Sequence, residues 1–195
     1  TKKNILKKYN IKNKYIICPT VVKPHKNIHN LIKAFYVVKK KFKNIHLVFC
    51  GAGTDIINGL IEKDKIEFNK IKKDVHGLGF VEDTELDYLI KNSELTINQS
   101  LYDAGNGSGL DAWLIGSPVA MSNIPPYMEH LRYLNVKAEV FDPNNCLSIS
   151  NKIIKILKMN KFQKEKMIYT SKKNINKVSW KTVVNNYFNL IIKIL

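Results

Sequence analysis

At 195 residues the chain can bury a full hydrophobic core, as one large domain or two small ones. Its 45% hydrophobic content is that of an ordinary globular protein, and no apolar run approaches the ~20 residues of a membrane-spanning helix. The formal charge of +16 is almost entirely lysine, because Arg132 is the only arginine.

That charge admits three sources: drift toward lysine, asparagine and isoleucine on a solvated surface, an anionic membrane face, or nucleic acid. Base readout favours arginine forks, and single strands favour aromatics interleaved with basic residues. Neither pattern is present, so nucleic acid is not expected as a partner. Cys18, Cys50 and Cys146 are far apart and lack metal-type spacing, which fits reduced thiols in a cytoplasmic protein. The chain opens on Thr1 rather than Met, so it reads as part of a longer protein, and a missing N-terminal signal carries little weight.

Residues 1–14, rich in lysine and asparagine, read as a linker or N-terminal edge, leaving 15–195 as one domain. Tyr15 to Cys18 is a continuous apolar run, as expected of a strand covered on both faces. A loop with two prolines carries His25 and Lys26, and Asn27 can cap the helix in which Ile28, Leu31, Ile32, Phe35 and Val38 share a face. Ile45 to Cys50 is a second strand, running into the turn 51–55. A polar helix is expected over about 56–72. A third strand and turn fall within Val75 to Val81, a helix within Glu82 to Asn92, and a fourth strand at Leu95 to Ile97. Ser108 can cap the next helix; Gly116 and then Pro118 stop it. Further strands follow at Val119–Met121 and Glu139–Phe141, and helices at about 126–134, 145–158, 161–173 and 180–194. Strands alternating with helices predict a doubly wound, mostly parallel six-stranded α/β sheet. Such sheets bind ligands beyond the carboxyl ends of their strands, which brings the loops 19–26, 51–55, 79–82 and 99–107 to one edge.

The stretch Leu101 to Asp111 holds three glycines and two aspartates, Asp103 and Asp111, eight residues apart. A glycine-rich turn opening a helix is an anion site, since free backbone N–H groups and the helix dipole both favour negative charge. Both acids fall near that positive end and should stay ionised. They can serve as acid–base groups, metal ligands or acceptors for sugar hydroxyls, or can merely complement the dipole. Lys26, near another helix start, can reach a diphosphate as a mobile point charge. Gly51-Ala52-Gly53 lacks the third glycine of a dinucleotide fingerprint, no P-loop or nucleophile elbow occurs, and the histidines lack metal spacing. No metal is expected.

Taken in order, Pro-His-Lys-Asn, His-Leu-Val-Phe-Cys-Gly-Ala-Gly, His-Gly-Leu-Gly-Phe-Val-Glu-Asp, Ser-Leu-Tyr-Asp with Asp111 eight residues on, Gly-Ser-Pro-Val-Ala and Phe-Asp-Pro form a recognisable series. Over about residues 15–194 the chain resembles the C-terminal donor-binding domain of GT-B glycosyltransferases of family 4 (glycosyl transferases group 1). The resemblance implies transfer of a sugar from an NDP-sugar to a glycan or lipid-linked glycan, with retention and without a metal or other cofactor. It implies that Asp103 is catalytic, against the donor sugar, that Asp111 binds ribose hydroxyls and that Lys26 binds phosphate. It places Gly51 and Gly53 on the nucleotide side, and Phe80, Val81 and Leu86 near the base. The backbone of Gly105, Asn106, Gly107, Ser108, Gly109 and Leu110 would face sugar and phosphates. It further implies an acceptor-binding N-terminal domain outside this chain, reached by the final helix, without which the fragment does not turn over. Peripheral contact at the inner membrane face would then suit a lipid-linked acceptor. Three departures stand out: both family acids are usually glutamate, the usual Gly-Phe-Gly-Leu-Pro is Ala104 to Ser108, and an expected arginine is Val21. They keep a second function open, a degenerate module that binds nucleotide-sugar without transfer. A basic nucleic-acid-binding domain is the third.

Overall fold

The structure, a computed structural model, describes residues 3–194 apart from 13, 58 and 60–67. Six strands form one all-parallel sheet: β1 (Lys14–Pro19), β2 (Ile45–Cys50), β3 (Val75–Gly77), β4 (Leu95–Asn98), β5 (Val119–Ser122) and β6 (Glu139–Phe141). Their spatial order is β3-β2-β1-β4-β5-β6. The chain winds outward from β1 to β3, returns to the centre, and winds outward the other way from β4 to β6. The loops after β1 and β4 therefore part in opposite directions and open a crevice between them.

The strands read as apolar runs because both faces are covered. On one face Ile16, Cys18, Leu47, Phe49, Leu95 and Ile97 pack with α2 (Ile28–Lys41) and α6 (Cys146–Lys158). On the other, Tyr15, Ile17, Val48, Val119 and Met121 meet α3 (Asp83–Lys91), α4 (Gly107–Ile115) and α5 (Pro125–Leu134). Trp113 of α4 is buried in this second layer and its Nε1 donates to the Lys137 carbonyl at 3.1 Å. Two further helices follow, α7 (Lys161–Ile175) and α8 (Trp180–Ile194). Among the described residues no helix is long and apolar enough to cross a membrane.

Several local expectations are corrected. Residues 3–12 are not a free edge: α1 (Lys3–Lys8) is helical, Ile11 is buried, and Ile5, Leu6 and Tyr9 pack into the second layer. Lys8 and Tyr9 both hold Glu85 of α3, at 2.8 and 2.6 Å. The helix expected over 56–72 falls largely on 60–67, outside the described residues, and 68–70 and 72–74 are single 3-10 turns. Asn27 precedes α2 in the left-handed region (φ 54°) but does not cap it with its side chain. Ser108 is the second residue of α4, whose N-cap is Asn106, again without a side-chain cap. Asp111 consequently lies beyond the first turn of α4 rather than at its positive end.

Candidate functional site

The crevice between β1 and β4 is a cleft of about 500 Å³. Its walls are Thr20, Val21 and Lys26 after β1, Gly51 after β2, and Asp103 and Gly105 after β4. Gly107, Ser108 and Asp111 of α4 and Leu86 of α3 complete it. Of the residues expected from sequence, Lys26, Gly51, Leu86, Asp103, Gly105, Gly107, Ser108 and Asp111 thus meet at one place. Six others do not line it. Val81 is buried in the core and Leu110 packs partly there. Asn106 is buried beneath the α4 start, and Gly109 makes room for it: a Cβ at 109 would come within 2.3 Å of the Asn106 amide oxygen. Phe80 is 75% exposed outside the lining, and Gly53 lies beside Val22.

Backbone hydrogen bonds knit these loops. The Thr20 amide donates to Cys50, Val22 to Ala52, and Gly51 to Gly79. Gly51 is held at φ 125° with the Thr20 carbonyl against its α-carbon. The β1 and β4 loops are joined as well. Gln99 Nε2 donates to the Lys26 carbonyl at 2.6 Å, and the Leu101 amide donates to the His25 carbonyl at 2.8 Å. Asn27 Nδ2 donates to the carbonyls of Gln99 and Pro143 at 3.1 and 2.7 Å, and its left-handed backbone is not the extended conformation from which an N-cap oxygen accepts. These bonds bring two charges 77 positions apart together.

Lys26 Nζ lies 2.6 Å from Asp103 Oδ2, with both side chains about four-fifths buried. The same oxygen is met by the Tyr127 hydroxyl at 2.9 Å and the Ser100 hydroxyl at 3.3 Å, while the Ala104 amide donates to Oδ1 at 3.0 Å. Burial by itself raises the carboxyl pKa. The hydrogen bonds from Lys26 and Tyr127, the Lys26 charge and the Ala104 amide outweigh it and hold Asp103 below the usual carboxylate range. Asp103 stays ionised at neutral pH, held so by Lys26, Tyr127 and the Ala104 amide.

Tyr127 was not legible as a site residue. It is fully buried on α5, with its hydroxyl 2.7 Å from Asn98 Oδ1. Burial and the neighbouring Asp103 charge push its phenol well above the ordinary range, so it remains a hydrogen-bond donor. Asn98 Nδ2 in turn donates to Asn106 Oδ1 at 3.1 Å and Ser108 Oγ at 3.0 Å. Asn98 therefore couples the Asp103 cluster to the start of α4, whose first amides carry no side-chain cap. The polar run Asn98-Gln99-Ser100, buried at the end of an apolar strand, is the one sequence signal that could have marked this layer.

Removing the Tyr127 hydroxyl should raise the Asp103 pKa. Tyr127→Phe keeps the ring packing but deletes one charge-assisted bond, so the Asp103 titration should move upward toward the ordinary carboxylate range. Carbon-13 carboxyl NMR titration reads it; an unmoved Asp103 titration would show that Lys26 alone sets the charge. The depressed pKa contributes stability above the unfolded value that is lost as pH falls through the folded one, and Tyr127→Phe moves that loss to higher pH.

Asp111 behaves oppositely. Burial first, then the charges of Asp87 and Asp83 on α3, raise its pKa above the usual value. One turn into α4 it gains little from the helix start. Among the described residues no three His, Cys, Asp or Glu side chains converge as a metal-binding group.

A search of solved structures finds the same architecture repeatedly. A glycosyltransferase from Rickettsia africae matches with 17% identity and a TM-score of 0.81, over 97% of this chain and 50% of that one. An Anabaena protein, HepE, solved with UDP-glucose, matches with 17% identity and a TM-score of 0.75, over 100% and 54%. The C-terminal domain of a group 1 glycosyl transferase from Francisella tularensis matches with 15% identity and a TM-score of 0.72, over 91% and 92%. The chain thus spans about half the length of the first two. A search of curated protein sequences finds no match. The family profile for glycosyl transferases group 1 matches residues 1–174. With most of its length matched and the fold shared with GT-B enzymes, the chain belongs to the glycosyl transferases group 1 family.

Proposed function

We propose that this domain binds an NDP-sugar in the cleft between β1 and β4 and acts as the donor half of a retaining glycosyltransferase. The observation that carries the reading is the meeting of Lys26, Asp103 and the uncapped start of α4 at the switch point of the sheet. A diphosphate carries the charge that Lys26 and free helix amides recognise. Asp103 is then released from Lys26 to accept a hydrogen bond from a donor-sugar hydroxyl. The lysine and the α4 amides stabilise the departing nucleoside diphosphate without a metal. Val21 adds no cation, so Lys26 carries the side-chain share of that task. The UDP-glucose held by the similar Anabaena protein supports the nucleotide-sugar class. The acceptor, of the glycan or lipid-linked glycan class, would sit on an N-terminal domain of the full protein. Val184, Phe188 and Ile191 of α8, all more than half exposed, offer an apolar surface for it. The lysine excess leaves peripheral contact with an anionic membrane face open to such an acceptor.

Calorimetry with UDP, GDP, ADP and their sugars tests the proposal. One nucleotide should bind saturably, and Lys26→Ala should weaken it by about tenfold to a hundredfold, the range of one charge-assisted contact. Binding by none of them would overturn it.

Asp111 gives a separate expectation. In the proposed complex its carboxylate accepts ribose hydroxyls, so its raised pKa is a cost carried by the unliganded fold. A carboxylate with a raised folded pKa lowers stability as pH rises through the ordinary range. Asp111→Asn should therefore leave the domain as stable or slightly more stable at pH 7 in urea unfolding, while weakening nucleotide binding. Such an opposition is common at binding sites. A destabilised variant would show that Asp111 is a structural acid instead.

A further inference from the structure

A second concavity, of about 740 Å³, lies at the opposite end of the sheet, beneath the starts of β2 and β3. From Ile45 to Cys50, β2 alone spans about 16 Å at strand rise, which separates it from the β1–β4 cleft. Six lysines line it: Lys12 ahead of β1, Lys39 and Lys40 on α2, Lys43 after α2, and Lys70 and Lys73 ahead of β3. Asp74 is the only carboxylate among the described residues that line it.

The floor of this concavity is nearly closed to solvent and almost neutral. Lys39 Nζ holds Asp74 at 2.9 Å, with both side chains close to nine-tenths buried, and also donates to the carbonyls of Lys43 and Ile45. His46 Nε2 lies 3.7 Å from Asp74, and His46 Nδ1 lies 2.9 Å from His76 Nε2. Burial holds both imidazoles below their ordinary pKa, so at pH 7 they act as neutral hydrogen-bonding groups. The Lys39 and Asp74 charges cancel, and the cations that remain are those of the exposed rim. Lys40 is kept along the wall by the Tyr36 ring, 4.7 Å from its Nζ.

Burying an ion pair and two imidazoles carries a desolvation cost that an apolar floor would not. Nucleotide binding at the other end of the sheet makes no use of them. Perturbed titratable groups beneath a concavity are a mark of binding sites. A recessed surface ringed by lysines, over a polar floor, suits a compact, multiply charged anion better than a flat bilayer. We propose that this concavity is a second binding site, for a soluble polyanion of the polyphosphate class.

Inorganic tripolyphosphate is the probe. Calorimetric titration at low salt of the Lys26→Ala protein, whose β1–β4 cleft has lost its diphosphate cation, should show one site per chain. Lys43→Ala with Lys73→Ala, both exposed and therefore harmless to folding, should weaken it at least tenfold. Removing the same charge on α7, by Lys161→Ala with Lys166→Ala, should change it less than twofold. The Lys26→Ala background removes the donor-cleft cation, so failure here and failure of the donor reading are separable. Equal weakening by the two pairs, or several weak sites, would overturn the proposal in favour of diffuse lysine charge. Binding of phosphatidylglycerol vesicles but not of tripolyphosphate would overturn it in favour of a membrane face.

Discussion

Asp103→Asn in the full-length protein should lower transfer more than about a hundredfold, the scale seen when one preorganised polar partner of a transition state is removed. The amide keeps the shape but only one acceptor: its oxygen can stay on the Ala104 amide, while its NH2 replaces the oxygen that meets Lys26, Ser100 and Tyr127, whose hydroxyls can turn to accept. What disappears is the charge that Lys26 neutralises at 2.6 Å. Two consequences run in opposite directions. The donor sugar loses its anionic acceptor, which lowers the rate constant. The diphosphate no longer has to draw Lys26 away from a carboxylate, so a nucleoside diphosphate without sugar should bind as tightly as before or more tightly. A kcat collapse beside unchanged or improved nucleotide affinity is therefore the expected signature, read by steady-state kinetics and calorimetry together. Undiminished transfer would sink the catalytic assignment. If the parent protein binds nucleotide-sugar but transfers nothing, the degenerate module is correct. The aspartates in place of the family's glutamates make this comparison the informative one, since lost reach of about 1 Å can be costly unless the backbone compensates.

The strands were legible because parallel sheets bury both faces, and β1, β2 and β4 accordingly read as unbroken apolar runs. The strand order was not legible in detail, yet loop composition pointed to the sheet edge where these loops line one cleft. Glycine, lysine and aspartate had collected in the segments after β1, β2 and β4. What sequence reading missed depends on contacts between distant positions. Tyr127 reaches Asp103 from α5, 24 residues away, and nothing near Pro125 and Pro126 marks it. The charges that lift Asp111 come from Asp83 and Asp87 on α3, a neighbouring helix. Asparagine is favoured as a cap, but Asn27 has a left-handed backbone and its amide nitrogen is turned to Gln99 and Pro143. Residues 1–14 read as a linker or N-terminal edge because lysine and asparagine dominate them. Ile5, Leu6, Tyr9 and Ile11 are sufficient to dock that segment.

Gly51 is the position where a single methyl group should do the most structural damage to the cleft. Its φ of 125° is already unfavourable for a residue with a side chain, and an added Cβ would lie 2.0 Å from the Thr20 carbonyl oxygen. That atom is backbone and cannot rotate aside. Gly51→Ala must therefore push the β1 loop outward, breaking the Thr20-to-Cys50 and Gly51-to-Gly79 bonds that hold the wall. Thr20 and Val21 move with it, and Lys26 follows through the same loop. Nucleotide binding should be lost, and urea unfolding should show a destabilisation of about 2–4 kcal/mol, combining backbone strain with lost hydrogen bonds. Gly53 and Gly105 provide the scale. At Gly53, φ is 77° but the nearest atom to a new Cβ is Val22 Cβ at 3.4 Å, so Gly53→Ala incurs strain of about 1–2 kcal/mol without a clash. At Gly105 nothing lies within 4 Å, and alanine should change stability by less than about 0.5 kcal/mol. The ranking Gly51 above Gly53 above Gly105 rests on the approach of the β1 and β2 loops. If alanine at 51 were no worse than at 53, that approach would not be the constraint shaping the cleft wall.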